Sequence, residues 1–98
     1  MCKEAIVVNV RDNVATAVAD VEPGEEVRAM LNGLGVTVRS REPVPFGHKI
    51  ALRELRPGDL VYKYGEVIGE AVAPIPVGAH VHVHNLHSRR LRPTAACA

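Results

Sequence analysis

The chain has 98 residues, a formal net charge of +1 at neutral pH and only three aromatic residues, Phe46, Tyr62 and Tyr64. This length allows one small domain, whose core must come from aliphatic and small side chains. Many of these are β-branched, which favours strands. The 12 basic and 11 acidic residues are interleaved, so a basic face for nucleic acid is not expected.

A membrane protein and a disulfide-rich protein are also not expected. No apolar run approaches the roughly 20 residues that a membrane helix needs, and no charged-then-apolar leader begins the sequence. Cys2 and Cys97 stand at the extremities and have neither metal-site nor disulfide-framework spacing. We therefore expect a cytoplasmic protein.

Short strands and one helix are predicted before the histidine-rich run near the C-terminus. Apolar or alternating segments predict strands at 5–10, 25–30, 35–39, 60–64 and 66–73. The small-residue pattern after the first strand indicates a short helix near 13–20, with Asp12 or Asn13 as its N-cap. Asn32 and Gly33 predict a turn.

Corners that contain proline and glycine repeat along the chain. Residues 17–25 resemble 51–59, because in both an apolar stretch meets a Pro-Gly pair beside an acid and a strand then begins. Residues 75–78 form a weaker third corner. Two good copies are too few for a solenoid and indicate a compact, pseudo-symmetric β domain. The two prolines in 43–48 predict a rigid, exposed loop that delivers His48.

The most informative segment is the run at 80–85, His-Val-His-Val-His-Asn. A strand sends successive side chains to opposite faces, so it would place His80, His82 and His84 on one face and both valines toward the core. Imidazole titrates near neutral pH and is the commonest metal ligand, so this face suits a divalent cation, proton transfer or an anionic substrate. The alternative is an exposed edge strand that is merely rich in histidine.

The spacing along a strand limits how many of these histidines can meet at one cation. Alternate residues lie about 6.6 Å apart, so imidazoles at i and i+2 converge more readily than those at i and i+4. We therefore expect one or two of the three histidines to act with groups from another subunit. Without an acidic neighbour, the set suits zinc or iron better than magnesium.

Four motifs occur in a fixed order: RDNVATA at 11–17, PFGHKIAL at 45–52, KYGEVIG at 63–69 and HVHVHN at 80–85. Together they resemble the N-terminal SAF domain of the altronate/galactarate dehydratase family and the small subunit of sulfolactate sulfo-lyase. The resemblance implies a mainly β fold of the β-clip type at 4–86. The polar residues 87–98 lack periodicity and are expected to form a flexible tail.

The resemblance also implies a hydro-lyase for sugar acids such as altronate or galactarate. It implies a divalent metal, Fe²⁺ first with Mn²⁺ or Zn²⁺ as alternatives, shared with a large catalytic subunit. Dehydration beside a carboxylate needs a base to remove a proton and an acid to help the hydroxyl leave. We expect this small subunit or N-terminal domain to complete or cover an active site on the large subunit, and to be inactive alone. Pairing of ribbon edges also predicts a homodimer.

Specific residues are predicted for each role. The candidate catalytic residues are His48 and His82. The candidate metal ligands are His80, His82 and His84. The candidate substrate-binding residues are Arg11, Asn13, Lys49, Lys63 and Tyr64. Structural alternatives are an exposed loop histidine at 48, a half-buried core tyrosine at 64 and a helix cap at 11–13.

The sequence is also compatible with two other functions. One is the small subunit of a sulfolactate sulfo-lyase, which keeps the same architecture and changes the leaving group. The other is a non-catalytic module that binds a sugar acid or a partner protein. The sequence also leaves open whether the chain is a separately encoded subunit or part of a longer enzyme.

Overall fold

The computed structural model describes residues 2–31 and 34–88, and this part of the chain contains nine strands. The strands are β1 Cys2–Ile6, β2 Val14–Ala17, β3 Glu26–Leu31, β4 Leu34–Arg39, β5 Lys49–Ala51, β6 Leu60–Lys63, β7 Glu66–Ala71, β8 His80–Val81 and β9 Leu86–Ser88. They form a six-stranded sheet in the order β4-β3-β1-β2-β5-β8 and a three-stranded sheet in the order β6-β7-β9. Only β1 and β3 pair in parallel; every other pair is antiparallel.

Two short central strands, β2 and β5, separate two clusters of buried aliphatic side chains. Val14 and Ala51 face the cluster beside the three-stranded sheet, whereas Ala15 and Ile50 face the cluster within the six-stranded sheet. Both strands are therefore buried on both faces, which requires a continuous run of small or β-branched residues. The prediction of a mainly β fold of the β-clip type is confirmed.

The predicted helix at 13–20 is wrong, and the described residues contain no helix. Val14–Ala17 is strand β2, which pairs with β1 on one side and with β5 on the other. A short helix there would leave β1 and β5 each without a hydrogen-bonded neighbour on one side and would break up both cores. Tertiary pairing therefore overrides the local small-residue pattern.

Four tight corners, rather than the three predicted, connect the strands. Each begins with a buried aliphatic residue and places a glycine with φ between 85° and 95° three residues later. The corners are corner 1 at 21–25, corner 2 at 44–48, corner 3 at 55–59 and corner 4 at 75–79. Their first residues pair in isolated bridges, Val21 with Val44 and Leu55 with Ile75. The predicted pseudo-symmetry is therefore real, and it consists of two pairs of corners.

Corner 2 corrects the prediction that 43–48 is simply an exposed loop. Val44 is fully buried in its bridge to Val21, and its N–H and carbonyl both bond to the backbone of Val21. Phe46 is exposed at the tip of the corner, and the chain then leads through His48 into β5. The corner is fixed by backbone bonding, so it delivers His48 to a defined position.

The remaining boundaries differ modestly from the predictions. Strand β1 ends at Ile6, because the N–H groups of Val8 and Asn9 donate to the Asp12 carboxylate and the chain there forms a loop. His87 and Ser88 lie in β9, whereas the rest of the predicted tail and the predicted turn at 32–33 fall outside the described residues. No described segment forms a helix long and apolar enough to cross a membrane.

Candidate metal and anion site

Corners 2 and 4 bring three histidines together from distant parts of the sequence. Strands β5 and β8 pair with Lys49 opposite Val81, which places His48 against His82 at the end of the ladder. The ring centroids of His48 and His82 are 4.2 Å apart, and that of His80 lies 5.0 Å from His48 and 5.4 Å from His82. We call these three residues the histidine cluster.

The histidine cluster has the donor atoms of a transition-metal site. One ring nitrogen from each residue lies within 4.8 Å of the corresponding nitrogens of the other two. His48 Nδ1 and His80 Nε2 are 2.8 Å apart, so they share a hydrogen bond whose direction depends on the tautomer. Three imidazoles without a carboxylate suit zinc or iron(II). The residues present therefore fit the predicted divalent metal.

The third member of this cluster differs from the predicted one. It is His48, whereas the ring centroid of His84 lies 5.3 Å from that of His80 and is tilted by 42°. The assignment of His84 as a metal ligand stays a prediction. The chain turns after His82, because the Asn85 side chain accepts a bond from the His82 N–H and donates one to the His80 carbonyl. Strand β8 therefore ends at Val81.

The same turn corrects the prediction that both valines face the core. Val81 is 0% exposed, as expected, whereas Val83 at the tip of the turn is 80% exposed. Alternation of side chains holds only while the backbone stays extended, and the turn ends it after one residue pair. The predicted single face of three histidines is wrong beyond His82.

Burial and neighbouring charges favour the neutral imidazole at His80 and His82. Burial lowers the pKa of His80 most, and the adjacent His48, His84 and His82 lower it further against an opposing effect of Glu42. Burial and then the charges of His48 and Lys49 also lower the pKa of His82. A neutral imidazole keeps the free electron pair that a metal ligand needs.

A groove of about 370 Å³ begins at His82 and runs between the two sheets. Its lining residues are Lys49, Lys63, Tyr64, Glu66, Ile68, His82, Val83 and Leu86. Two ammonium groups against one carboxylate make its ionisable lining cationic, so an anion would be attracted to it. The Lys63 ammonium lies 4.9 Å from the Tyr64 ring centroid, a cation–π contact that keeps both side chains together.

Three of the five predicted substrate-binding residues meet at this groove, and two do not. Lys49, Lys63 and Tyr64 line it together with His82. Arg11 is exposed over the Tyr62 ring, with its guanidinium carbon 5.4 Å from the centroid. Asn13 is buried, and its side chain bonds to the backbone of Leu60 and Tyr62.

Glu66 was not predicted to line the site, and Asp12 was not predicted to support it. Glu66 lines the groove because it begins β7, directly after the turn that carries Tyr64. Asp12 is only 4% exposed and, instead of capping a helix, accepts bonds from the backbone N–H groups of Tyr64 and Gly65. The turn itself could be predicted, since Tyr-Gly between two strands indicates a hairpin. Nothing in the sequence indicated that Asp12 would bond to it.

Comparison with known proteins gives the relatives of this chain. Altronate dehydratase from Bacillus subtilis (strain 168) is 39% identical over 83 residues, which are 85% of this chain and 16% of that protein. Altronate dehydratase from Escherichia coli (strain K12) is 45% identical over 80 residues, 82% of this chain and 15% of that protein. The chain thus spans about one sixth of the length of these two relatives.

A smaller relative is covered more fully. The (2R)-sulfolactate sulfo-lyase subunit alpha from Paracoccus pantotrophus is 47% identical over 51 residues, which are 52% of this chain and 76% of that protein. The family model of the altronate/galactarate dehydratase SAF domain matches residues 3–89, nearly the whole described region. This chain therefore belongs to the altronate/galactarate dehydratase SAF domain family.

Proposed function

We propose that the chain is the SAF domain or small subunit of a sugar-acid dehydratase. In that role it supplies a three-histidine site for a divalent cation and a cationic groove for the acid. The observation that carries the proposal is the convergence of His48, His80 and His82 at one end of a groove that also contains Lys49 and Lys63. A cation site and two ammonium groups in one groove suit an anionic substrate with oxygen donors.

The residues divide into two groups with different tasks. His48, His80 and His82 would hold Fe²⁺, with Mn²⁺ or Zn²⁺ as alternatives, and the bound cation would supply Lewis-acid stabilisation of negative charge on the substrate. Lys49 and Lys63 would attract and orient the acid group. The Val83 and Leu86 side chains would limit water on the other wall of the groove.

The acid–base roles proposed for His48 and His82 compete with the role of metal ligand. A ring nitrogen that binds a cation cannot also accept a proton. When the cluster holds a cation, these residues therefore have no unprotonated ring nitrogen left to act as a base. We therefore assign them to the cation first and expect the base that removes the substrate proton to come from a large catalytic subunit. Their acid–base role is the prediction for a cluster without a cation.

Titration calorimetry tests the cation site on the chain alone. Zn²⁺ and, without oxygen, Fe²⁺ should bind to the unaltered chain with one site. His82→Ala should weaken that binding by about 100-fold or more, beyond the 10–100-fold typical of losing an outer-shell partner. His87→Ala, which alters an exposed histidine on β9, is the matched control and should leave binding unchanged. Equal binding by His82→Ala would reject the site.

Co-expression with a large family subunit tests the activity. Altronate, galactarate and sulfolactate should be assayed with the assembled protein and with the isolated chain, each with and without ferrous iron. We expect dehydration only by the assembly and only with the cation. Turnover by the isolated chain, free of the large subunit, would contradict the division of labour proposed here.

A second candidate is the alpha subunit of a sulfolactate sulfo-lyase. The observation in its favour is similarity, because the Paracoccus pantotrophus subunit is 47% identical to this chain over 51 residues. The same assay separates the two candidates, since sulfite would be released from sulfolactate by the assembly. If the assembly binds these acids and converts none of them, the chain is a binding module.

A further inference from the structure

The loop between β1 and β2, residues 7–13, is bonded to the hairpin formed by β6 and β7. Asp12 accepts four backbone N–H groups: Oδ2 from Val8 at 3.3 Å, Asn9 at 3.2 Å and Tyr64 at 3.0 Å, and Oδ1 from Gly65 at 2.8 Å. The carboxylate is thus shared by two segments that lie more than 50 residues apart in the sequence.

The neighbouring residue Asn13 strengthens the same connection. Its Nδ2 donates to the Leu60 carbonyl at 3.0 Å, and its Oδ1 accepts from the Tyr62 N–H at 2.9 Å. Asp12 and Asn13 therefore satisfy four backbone groups of the hairpin strand and its turn. Since a buried polar group without a partner is costly, this arrangement fixes the hairpin relative to the loop.

The hairpin turn is in a conformation that needs outside support. Tyr64 has φ of 60°, and it is the one non-glycine residue with positive φ among the described residues. This left-handed conformation is unfavourable for tyrosine, because its Cβ comes too close to the following carbonyl oxygen. The Asp12 carboxylate bonds to the N–H groups of both central turn residues and so offsets this strain.

The connection also spans the two sides of the groove. Lys49 and His82 belong to the six-stranded sheet and its β8 turn, whereas Lys63, Tyr64 and Glu66 stand on the hairpin of the other sheet. Asp12 is buried below the hairpin turn and is absent from the groove lining. Its hydrogen bonds therefore govern where the hairpin side chains stand relative to the histidine cluster.

We propose that Asp12 is a positioning residue that sets the distance between the β6–β7 hairpin turn and the histidine cluster. This inference rests on the proposed function, because that function requires the acid-binding groups on one sheet to face the cation on the other at a defined distance. Asp12 touches neither the cation nor the substrate in this arrangement. It acts through the backbone of Tyr64 and Gly65.

Nuclear magnetic resonance on the full chain tests the proposal, with Asp12→Asn as the variant. An asparagine keeps the size of the side chain but replaces one acceptor oxygen by an NH₂ donor, so it cannot accept from both the Tyr64 and the Gly65 N–H, which use different oxygens of Asp12. Amide exchange at Tyr64 and Gly65 should rise by about 10-fold or more, the equivalent of losing one charge-assisted bond. Amides of the β1–β3 pair should keep their protection.

Bound Mn²⁺ then reports the distance across the groove. Paramagnetic broadening falls steeply with distance from the ion, so the amides of Lys63, Tyr64 and Gly65 should be strongly broadened in the unaltered chain. In Asp12→Asn this broadening should weaken, while broadening beside the histidine cluster and the Mn²⁺ affinity stay the same. Asp59→Asn is the matched control, because Asp59 also accepts a backbone N–H but lies in corner 3.

The outcomes separate the two proposals. If the unaltered chain shows no broadening near His48, His80 and His82, the cation site of the proposed function fails. If Mn²⁺ binds there and Asp12→Asn leaves hairpin broadening unchanged, the positioning role alone is overturned. If Asp12→Asn does not fold, Asp12→Glu keeps both acceptor oxygens one methylene further out and should displace the hairpin; unchanged broadening in that variant rejects the proposal.

Discussion

Corners 1 and 3 share a backbone path with corners 2 and 4 but carry different chemistry. In corners 1 and 3 an acid follows the glycine, and its carboxylate accepts the N–H three residues earlier: Glu25 from Glu22 and Asp59 from Arg56, both at 2.8 Å. That bond is the leading reason why the pKa of Glu25 lies below its usual range. In corners 2 and 4 no acid follows the glycine, and the chain leads to His48 and His80.

This difference separates corners with only a structural role from corners that lead to the candidate site. Each bridged pair contains one of each kind: corner 1 with corner 2, and corner 3 with corner 4. In one member the acid bonds to the backbone of its own corner, whereas the other member leads to a residue of the histidine cluster. A pseudo-symmetric frame can thus hold a functional group on one half of each pair without losing the turn.

The largest expected effect comes from the glycines of corners 3 and 4. Gly58 and Gly78 both have a positive φ, 95° and 86°, so alanine is strained at either position. An added Cβ meets open space at Gly58, whereas at Gly78 it overlaps the Arg39 carbonyl oxygen. We expect Gly78→Ala to lower the free energy of unfolding by at least about 4 kcal/mol, and Gly58→Ala by about 1–2 kcal/mol. Urea unfolding measures both; equal losses would show that the close approach does not matter.

The next effect is on cation binding. His48→Ala should weaken Zn²⁺ binding by about 100-fold or more while the metal-free chain keeps its unfolding midpoint, because a half-buried imidazole adds little packing. Calorimetry and thermal unfolding in a chelator measure the two quantities. A loss of stability without a loss of affinity would place His48 among the structural residues.

Replacing the acid of corner 3 should change stability and leave cation affinity unchanged, the opposite of His48→Ala. Asp59→Ala removes the acceptor for the Arg56 N–H and should cost about 1 kcal/mol of stability, which lowers the melting temperature by about 4–8 °C in a domain of this size. Zn²⁺ affinity should not change. Asp59→Asn, which retains an acceptor oxygen, should recover most of the stability, and a failure to do so would point to charge rather than the bond.

The smallest expected effect is a dependence of stability on pH. Burial and neighbouring charges hold the pKa values of His80 and His82 below the ordinary value of 6.5, so the folded chain binds fewer protons than the unfolded chain below that pH. The free energy of unfolding should therefore fall as the pH is lowered through about 6.5 and below. Urea midpoints at pH 7.5 and 5.5, with chelator present, measure the slope.

A double variant checks the origin of that slope. His80→Gln with His82→Gln removes both titrating groups, so the loss of stability on acidification should become smaller. His87→Gln alters an exposed histidine on β9 and should keep the full slope. A slope that survives in the double variant would have to come from other groups.

Much of the candidate site could be predicted from residue types, but its assembly could not. The histidine run, His48 beside Lys49, and Lys63 beside Tyr64 are visible in the sequence, and the structure brings most of them to one groove. The approach of His48 to His80 and His82 could not be predicted, because it depends on the register of β5 against β8 and on the turn that Asn85 stabilises. Imidazoles far apart in sequence meet only through that pairing.

The sequence by itself determined the β class and the corners. β-branched and small residues with few aromatics favour short buried strands, and Pro-Gly pairs require turns at Gly24 and Gly58 wherever the strands lie. Four ordered motifs also indicated the family, because each keeps several residue types at a fixed spacing.

Only the tertiary structure decided how 12–17 folds. Val14–Ala17 has the small-residue pattern of a helix, yet burial on both faces between two cores makes it a strand. Asp12 has the residue type of a helix cap, yet its carboxylate bonds to a turn more than 50 residues away. Local preferences are worth less than about 1 kcal/mol per residue, so the burial and hydrogen bonds that distant strands supply decide such segments.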